Sequence, residues 1–180
     1  MAKRFILFIV FICLPLKASA SGYVLATYGS GGEIDESSVG VEMGAIFLSY
    51  IHPTGGAFSL GLGISVADSD ENPPSLTYPL LPGTRAVWSK DYNDGNEQEI
   101  YISLGAEIVP SLFLVVGGGF SRQDKVNIIG TSSGQMFEAS DTTEHHGTFS
   151  LQLRYAIEGI TFGLGYHTRR GVIAGLGVAF

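Results

Sequence analysis

Two histidines stand close to a hydroxyl. In His146-Gly147-Thr148 the pair is two residues apart, and in His167-Thr168 it is adjacent. An imidazole within reach of a hydroxyl can take its proton and turn it into a nucleophile. Neither pair contains serine, and His145 and His146 also read simply as exposed loop residues. The run Asp91-Tyr92-Asn93-Asp94-Gly95-Asn96-Glu97 has the acid density of a calcium loop. Its glycine falls fifth instead of sixth and no glutamate follows at the twelfth place, so a solvated acidic loop fits better. Arg122, Arg169 and Arg170 carry the planar fork that suits phosphate, and they equally suit solvated strand ends. No metal site or cofactor motif is expected.

Those residues must be held by something, and the clearest element is the stretch 160–180. Ile160, Phe162, Leu164 and Tyr166 alternate with Thr161, Gly163, Gly165 and His167. After a turn at 168–171, Val172, Ala174, Leu176, Val178 and Phe180 alternate with Ile173, Gly175, Gly177 and Ala179. A period of two is the mark of a β-strand, and two such strands around a short turn make a hairpin. One face is greasy and the other is made of small residues.

At the other end, Met1-Ala2-Lys3-Arg4, an apolar run over 5–16 and Ala18-Ser19-Ala20 make a secretory signal peptide, cut after Ala20. The run is shorter than the roughly 20 residues a spanning helix needs. The only cysteine, Cys13, leaves with it. Residues 1–20 are thus expected as signal and 21–180 as one domain, since 160 residues lie within the usual single-domain range of about 100–200. Seven basic residues then face 17 acidic ones, a net charge of −10. Such an acidic chain does not suit nucleic acid.

Six further segments alternate like the last two: 22–28, 38–51, 57–68, 98–109, 112–122 and 147–157. The first is short and its face is ambiguous. Short turns are expected at His52-Pro53-Thr54-Gly55-Gly56, Pro110-Ser111 and Glu158-Gly159, and long polar loops at 29–37, 69–97 and 123–146. Eight strands with short turns at one end and longer loops at the other fit a closed antiparallel barrel. A soluble eight-stranded barrel would turn its greasy side inward and a charged side to water. Here the other face is mostly Gly, Ser, Ala and Thr, which suits a narrow barrel interior. The greasy face then points to lipid, and its aromatics, among them Phe58, Phe149 and Tyr155, belong to interfacial girdles.

The stretch 160–180 resembles the closing strand of bacterial outer-membrane β-barrels. The whole 21–180 segment resembles the small OmpA- and OmpX-type barrels in its proportions. The resemblance implies an all-β, eight-stranded, up-and-down transmembrane barrel in the outer membrane, present as a monomer. It implies Phe180 as the C-terminal signal read by the barrel-assembly machinery. It implies lipids and lipopolysaccharide as surroundings, with Arg122, Arg169 and Arg170 as candidate contacts to lipopolysaccharide phosphates.

Two kinds of activity are known in such barrels. A structural or surface-interaction role would sit in the loops, where a rigid scaffold usually carries its binding groups. A lipid A deacylase-like role would need an outward histidine beside serine or threonine. A narrow pore is a third option, although eight strands leave room for little more than side chains. Glu42, Glu99, Tyr101, Glu107, Gln152, Arg154 and His167 fall on the inner face. Buried charges need partners, so a hydrogen-bonded plug is expected, with Arg154 reaching Glu107 and with Glu42 or Glu99 as the alternative partner.

Overall fold

The computed structural model describes residues 21–34, 36–48, 56–74, 76, 83 and 85–180. The expected signal peptide, the end of the second strand beyond Leu48 and the turn at 52–55 lie outside these residues. Eight strands form in chain order: β1 Ser21–Ser30, β2 Ser38–Leu48, β3 Ala57–Ala67, β4 Ala86–Val109, β5 Leu112–Thr131, β6 Met136–Ile157, β7 Ile160–His167 and β8 Gly171–Ala179. Each pairs antiparallel with the next, and β1 pairs with β8, so the sheet closes into a barrel. Closure continues past β8, because Gly22 and Phe180 exchange both backbone hydrogen bonds at 2.8 Å. A closed sheet leaves no strand edge within the barrel wall.

The alternation in the sequence becomes inside and outside. Leu60, Leu62, Leu104, Leu151, Leu153, Leu164 and Leu176 all point outward, each at least 46% exposed. Ser59, Ser65, Ser103 and Ser150 beside them are buried. β1 is also cleanly alternating, with Tyr23, Leu25 and Thr27 inside and Val24 and Tyr28 outside. Its face is hard to read in sequence because its inward residues are large.

Those large inward residues explain the glycines opposite them. A β-carbon at Gly63 would lie 2.2 Å from the Tyr101 ring, and one at Gly61 would lie 2.3 Å from both Glu42 Oε1 and the Tyr23 hydroxyl. The small-residue face is the space into which a few large side chains pack. Towards the short turns the filling is apolar: Ala57, Phe113 and Val115, with Ile46 and Ala156 against them.

Three strands outrun expectation. Residues 86–97, 123–131 and 136–146 were expected in long loops, yet they extend β4, β5 and β6. Only Ser132–Gln135 joins the last two. β5 pairs with β6 at every residue from Leu112 to Gly130, while its pairing with β4 shifts register at Gln123. These extensions carry polar residues on both faces, with Trp88, Val126 and Ile128 as a short apolar patch on one, so the period of two is masked in sequence. Cross-strand pairs hold them instead, which is how context overrides the weak strand propensity of Asp and Asn. Ser89, Asn127 and Asp91 share hydrogen bonds at 2.6–3.0 Å. Lys125 meets Glu144 at 2.9 Å. Trp88 lies flat over Gly130, where a β-carbon would sit 2.1 Å from the indole.

Gly63→Val should overpack the lumen and displace Tyr101, lowering unfolding stability by about 1–3 kcal/mol. Gly147→Ala meets no atom within 4 Å and should stay within about 0.5 kcal/mol of the parent. Equilibrium unfolding in detergent micelles compares the two, and equal midpoints would contradict this packing.

Candidate functional site: the barrel lumen and the sheet above it

A narrow lumen offers little water, so each charge that points inward must find a partner in the protein. The deepest pair is Arg154 with Glu42, both essentially buried. The guanidinium donates to both carboxylate oxygens, at 2.6 and 2.7 Å. This is the two-pronged geometry that makes Arg–carboxylate pairs strong. Tyr23 and Ser103 each donate to Glu42 Oε1 at 2.6 Å. Gln152 Oε1 accepts from Arg154 Nε and Nη2 at 3.2 and 3.1 Å.

Glu107 does not join this cluster. It is half-buried, and its carboxylate caps the short turns by accepting from Ala57 N at 2.8 Å and Ser111 N at 2.7 Å. Glu107, Phe113 and Arg154 are register neighbours on β4, β5 and β6. Phe113, buried on the middle strand, fills the space between the two charges, and Arg154 reaches across the lumen to β2 instead.

The next cluster is built on Glu99. It accepts from Ser65 Oγ at 2.7 Å and from Thr148 Oγ1, and it bonds His167 Nε2 at 2.9 Å. His167 Nδ1 in turn accepts from the backbone N–H groups of Arg169 and Arg170, at 3.2 and 3.1 Å. An Nδ1 that accepts puts the ring hydrogen on Nε2, where it is donated to Glu99. The histidine thus ties the last turn to the lumen. Tyr101 is buried between this cluster and the Arg154 pair.

The arginines expected at the surface divide. Arg170 is buried and donates to Ser38 Oγ at 2.8 Å and Thr27 Oγ1 at 3.0 Å. Arg169 lies at the mouth and holds Glu97 through two nitrogens and Glu33 at 2.6 Å. The Glu97 hydrogen bond first, and its charge, hold this guanidinium above its ordinary range. Both are withdrawn from phosphate because turn 168–170 folds over the lumen, where Ile34 N bonds Arg169 O at 3.1 Å. Arg122 alone stays exposed, and it is engaged by Asp124 at 3.1 Å.

Above the mouth, β4, β5 and β6 continue as a three-stranded sheet. About ten to twelve residues at 3.3 Å each carry it roughly 35–40 Å beyond the barrel. The run 91–97 is therefore strand, not loop. Asp91 and Asp94 face opposite sides, so their carboxylates do not converge as calcium ligands would. His145 and His146 likewise sit on a strand. Asp124 is held below the usual carboxylate range, first by the Thr143 hydroxyl and then by Arg122, and Glu144 by Lys125. Glu138 is pushed up by its hydrogen bond with Asp141. Sequence reading missed this sheet and with it the pairs Lys125–Glu144 and Asn127–Asp91. The signal available was the absence of Pro from 86–109 and from 112–157.

No known protein family matches the chain, and no curated protein matches it. Solved structures similar to it include Ail, the attachment invasion locus protein of Yersinia pestis, at 8% identity and a TM-score of 0.44, covering 90% of this chain and 93% of that one. The same protein in complex with the heparin analogue sucrose octasulfate gives 9% and 0.34, with 90% and 94% covered. Neisserial surface protein A gives 12% and 0.32, with 91% and 99% covered. Both proteins are small outer-membrane β-barrels. Likeness of this degree concerns shape and carries no functional argument.

Arg154→Ala should leave Glu42 as a buried, uncompensated charge and cost about 3–5 kcal/mol. Arg85→Ala, an exposed control, should cost little. Changing both partners, Arg154→Met with Glu42→Gln, should recover part of the loss. Unfolding midpoints in detergent or lipid measure all three, and a midpoint for Arg154→Ala equal to that of Arg85→Ala would refute the role of the pair.

Proposed function

We propose that the chain is an integral outer-membrane barrel that presents its β4–β5–β6 sheet as a surface for interaction outside the cell. One observation carries the reading: a band of Leu, Ile, Val and Phe circles the outside of a closed barrel whose charged groups are turned inward. Water disfavours such a band and lipid requires it. Residues 1–20 serve as the secretory signal, and residues 21–180 as the barrel domain. Phe180, outward on the strand that closes the barrel, is the residue we assign to recognition by the assembly machinery. The short turns face the periplasm and the projecting sheet faces out, in keeping with the usual asymmetry of these barrels.

A binding role is supported over catalysis by where the hydroxyls go. Thr148 points into the lumen and gives its hydrogen to Glu99. Thr168 accepts from the backbone N–H of Phe149 at 3.1 Å, while His167 turns inward to Glu99. Neither histidine–threonine pair has the outward hydrogen bond that a lipid A deacylase-like reaction would use. A pore is disfavoured by the clusters on Glu42 and Glu99, which cross the lumen at two heights. For contact with lipopolysaccharide phosphate, Arg122 is the remaining candidate of the three arginines, in competition with Asp124.

Two measurements test the reading. Residues 21–180 contain no cysteine, so single cysteines can report sidedness. Ser133→Cys, at the tip of the sheet, should react with an impermeant maleimide on intact cells, and Ser111→Cys only after lysis. The reverse pattern, or labelling of both, overturns the orientation. Leu104→Arg, in the middle of the apolar band, should cost about 2–4 kcal/mol in lipid. Val87→Arg on the projecting sheet should stay within about 0.5 kcal/mol.

A further inference from the structure

β6 is 22 residues long and its neighbour β7 is eight. Pairing between them begins at Ser150 and His167. On its other side β6 keeps β5 as far as Met136 opposite Gly130. Among the described residues, 136–147 therefore carry no strand on the β7 side. About twelve residues at 3.3 Å each leave an open edge of roughly 40 Å. Such an edge is a row of backbone donors and acceptors ready for another strand.

Proteins that hide an edge place lysine or proline on it. Residues 136–147 contain neither. They carry Glu138, Asp141 and Glu144, all exposed, and no Lys or Arg. Register places Glu138 and Asp141 on one face and Glu144 on the other. Glu144 is already met by Lys125, so Glu138 and Asp141 form the uncompensated part. A second copy of this edge would bring three more carboxylates beside these three, and like charges are destabilising across a strand pair. The charge selects a basic partner.

We infer that the open edge of β6 takes an extended lysine- or arginine-rich peptide segment as an added strand. The inference rests on the outward sheet proposed above. Main-chain hydrogen bonds supply the affinity, and the carboxylates supply selectivity and encounter rate.

The test uses residues 21–180 in lipid nanodiscs and a peptide of about twelve residues alternating lysine and threonine. Two further forms carry N-methyl groups on alternate backbone nitrogens, and a last one replaces lysine with glutamate. The lysine peptide should bind and slow amide hydrogen exchange across 136–147. One of the two methylated forms and the glutamate form should fail. Glu138→Gln with Asp141→Asn should weaken binding roughly tenfold without moving the unfolding midpoint. Absence of binding, equal binding of both methylated forms and the parent, or binding that leaves 136–147 unprotected each overturns the inference. If the peptide protects β6 but Ser133→Cys is unlabelled on intact cells, the outward reading falls and the edge stands. If Ser133→Cys is labelled and the peptide leaves 136–147 unprotected, the edge inference falls alone.

Discussion

Inside a closed eight-stranded barrel a carboxylate cannot turn to bulk water, and on the outside of this one a polar group would face an apolar band. Glu42 lives under the first half of that constraint. It has three donor residues around it, and two of its four contacts come from one guanidinium. The desolvation of such an ion costs several kcal/mol, and the pairing roughly repays it when the geometry is good. The pair therefore contributes less to net stability than to fixing which strands stand across the lumen. Arg154 is on β6 and Glu42 on β2, so the bond sets one wall of the barrel against the other. Gly61 and Gly63 are demanded by the same cluster, because Tyr23, Glu42 and Tyr101 occupy the volume their side chains would fill.

The barrel portion was legible in sequence because outward-facing and lumen-facing residues alternate with a period that nothing disturbs. Strand β3 is the clearest case, Leu60, Leu62 and Ile64 against Gly61, Gly63 and Ser65. The inner face of Glu42, Glu99, Tyr101, Gln152, Arg154 and His167 followed from the same parity. Their partners did not follow, because parity says which side a residue faces and not how high it lies. Barrel stagger decides height, and Phe113 decides that Arg154 and Glu107 stay apart. The extensions of β4, β5 and β6 were illegible for a different reason. Ser89, Asp91, Asn93, Lys125, Asn127 and Glu144 look like loop residues until the strand beside them is known.

The arginines show how one residue type is sorted by backbone position alone. Arg169 and Arg170 are adjacent, and in a strand adjacent residues would face opposite ways. In the turn before Gly171, whose φ is +71°, both fold back to the barrel mouth. One closes onto Ser38 and Thr27, the other onto Glu97 and Glu33. His167 locks the turn from beneath by accepting two of its backbone N–H groups. The last hairpin is thus stitched to β1, β2 and β4, with Arg169 neutralising acids at the mouth and Arg170 held by hydroxyls.

The two parts of the molecule are held by different means. Within the barrel every strand has two neighbours, and the buried Arg154–Glu42 pair crosses the lumen. In the projecting sheet β6 has one neighbour among the described residues, and the cross-strand pairs are exposed. Each such pair is worth a few tenths of a kcal/mol to about 1 kcal/mol. Trp88 over Gly130, with the buried Val126 and Ile128 on the same face, supplies the apolar part of what keeps the sheet together. Local opening follows the number of buried contacts, so the sheet sits at the low-stability end of a rigid barrel. A rigid base with a less tightly held sheet above it suits binding by strand addition, in which the incoming chain supplies the second neighbour that β6 lacks.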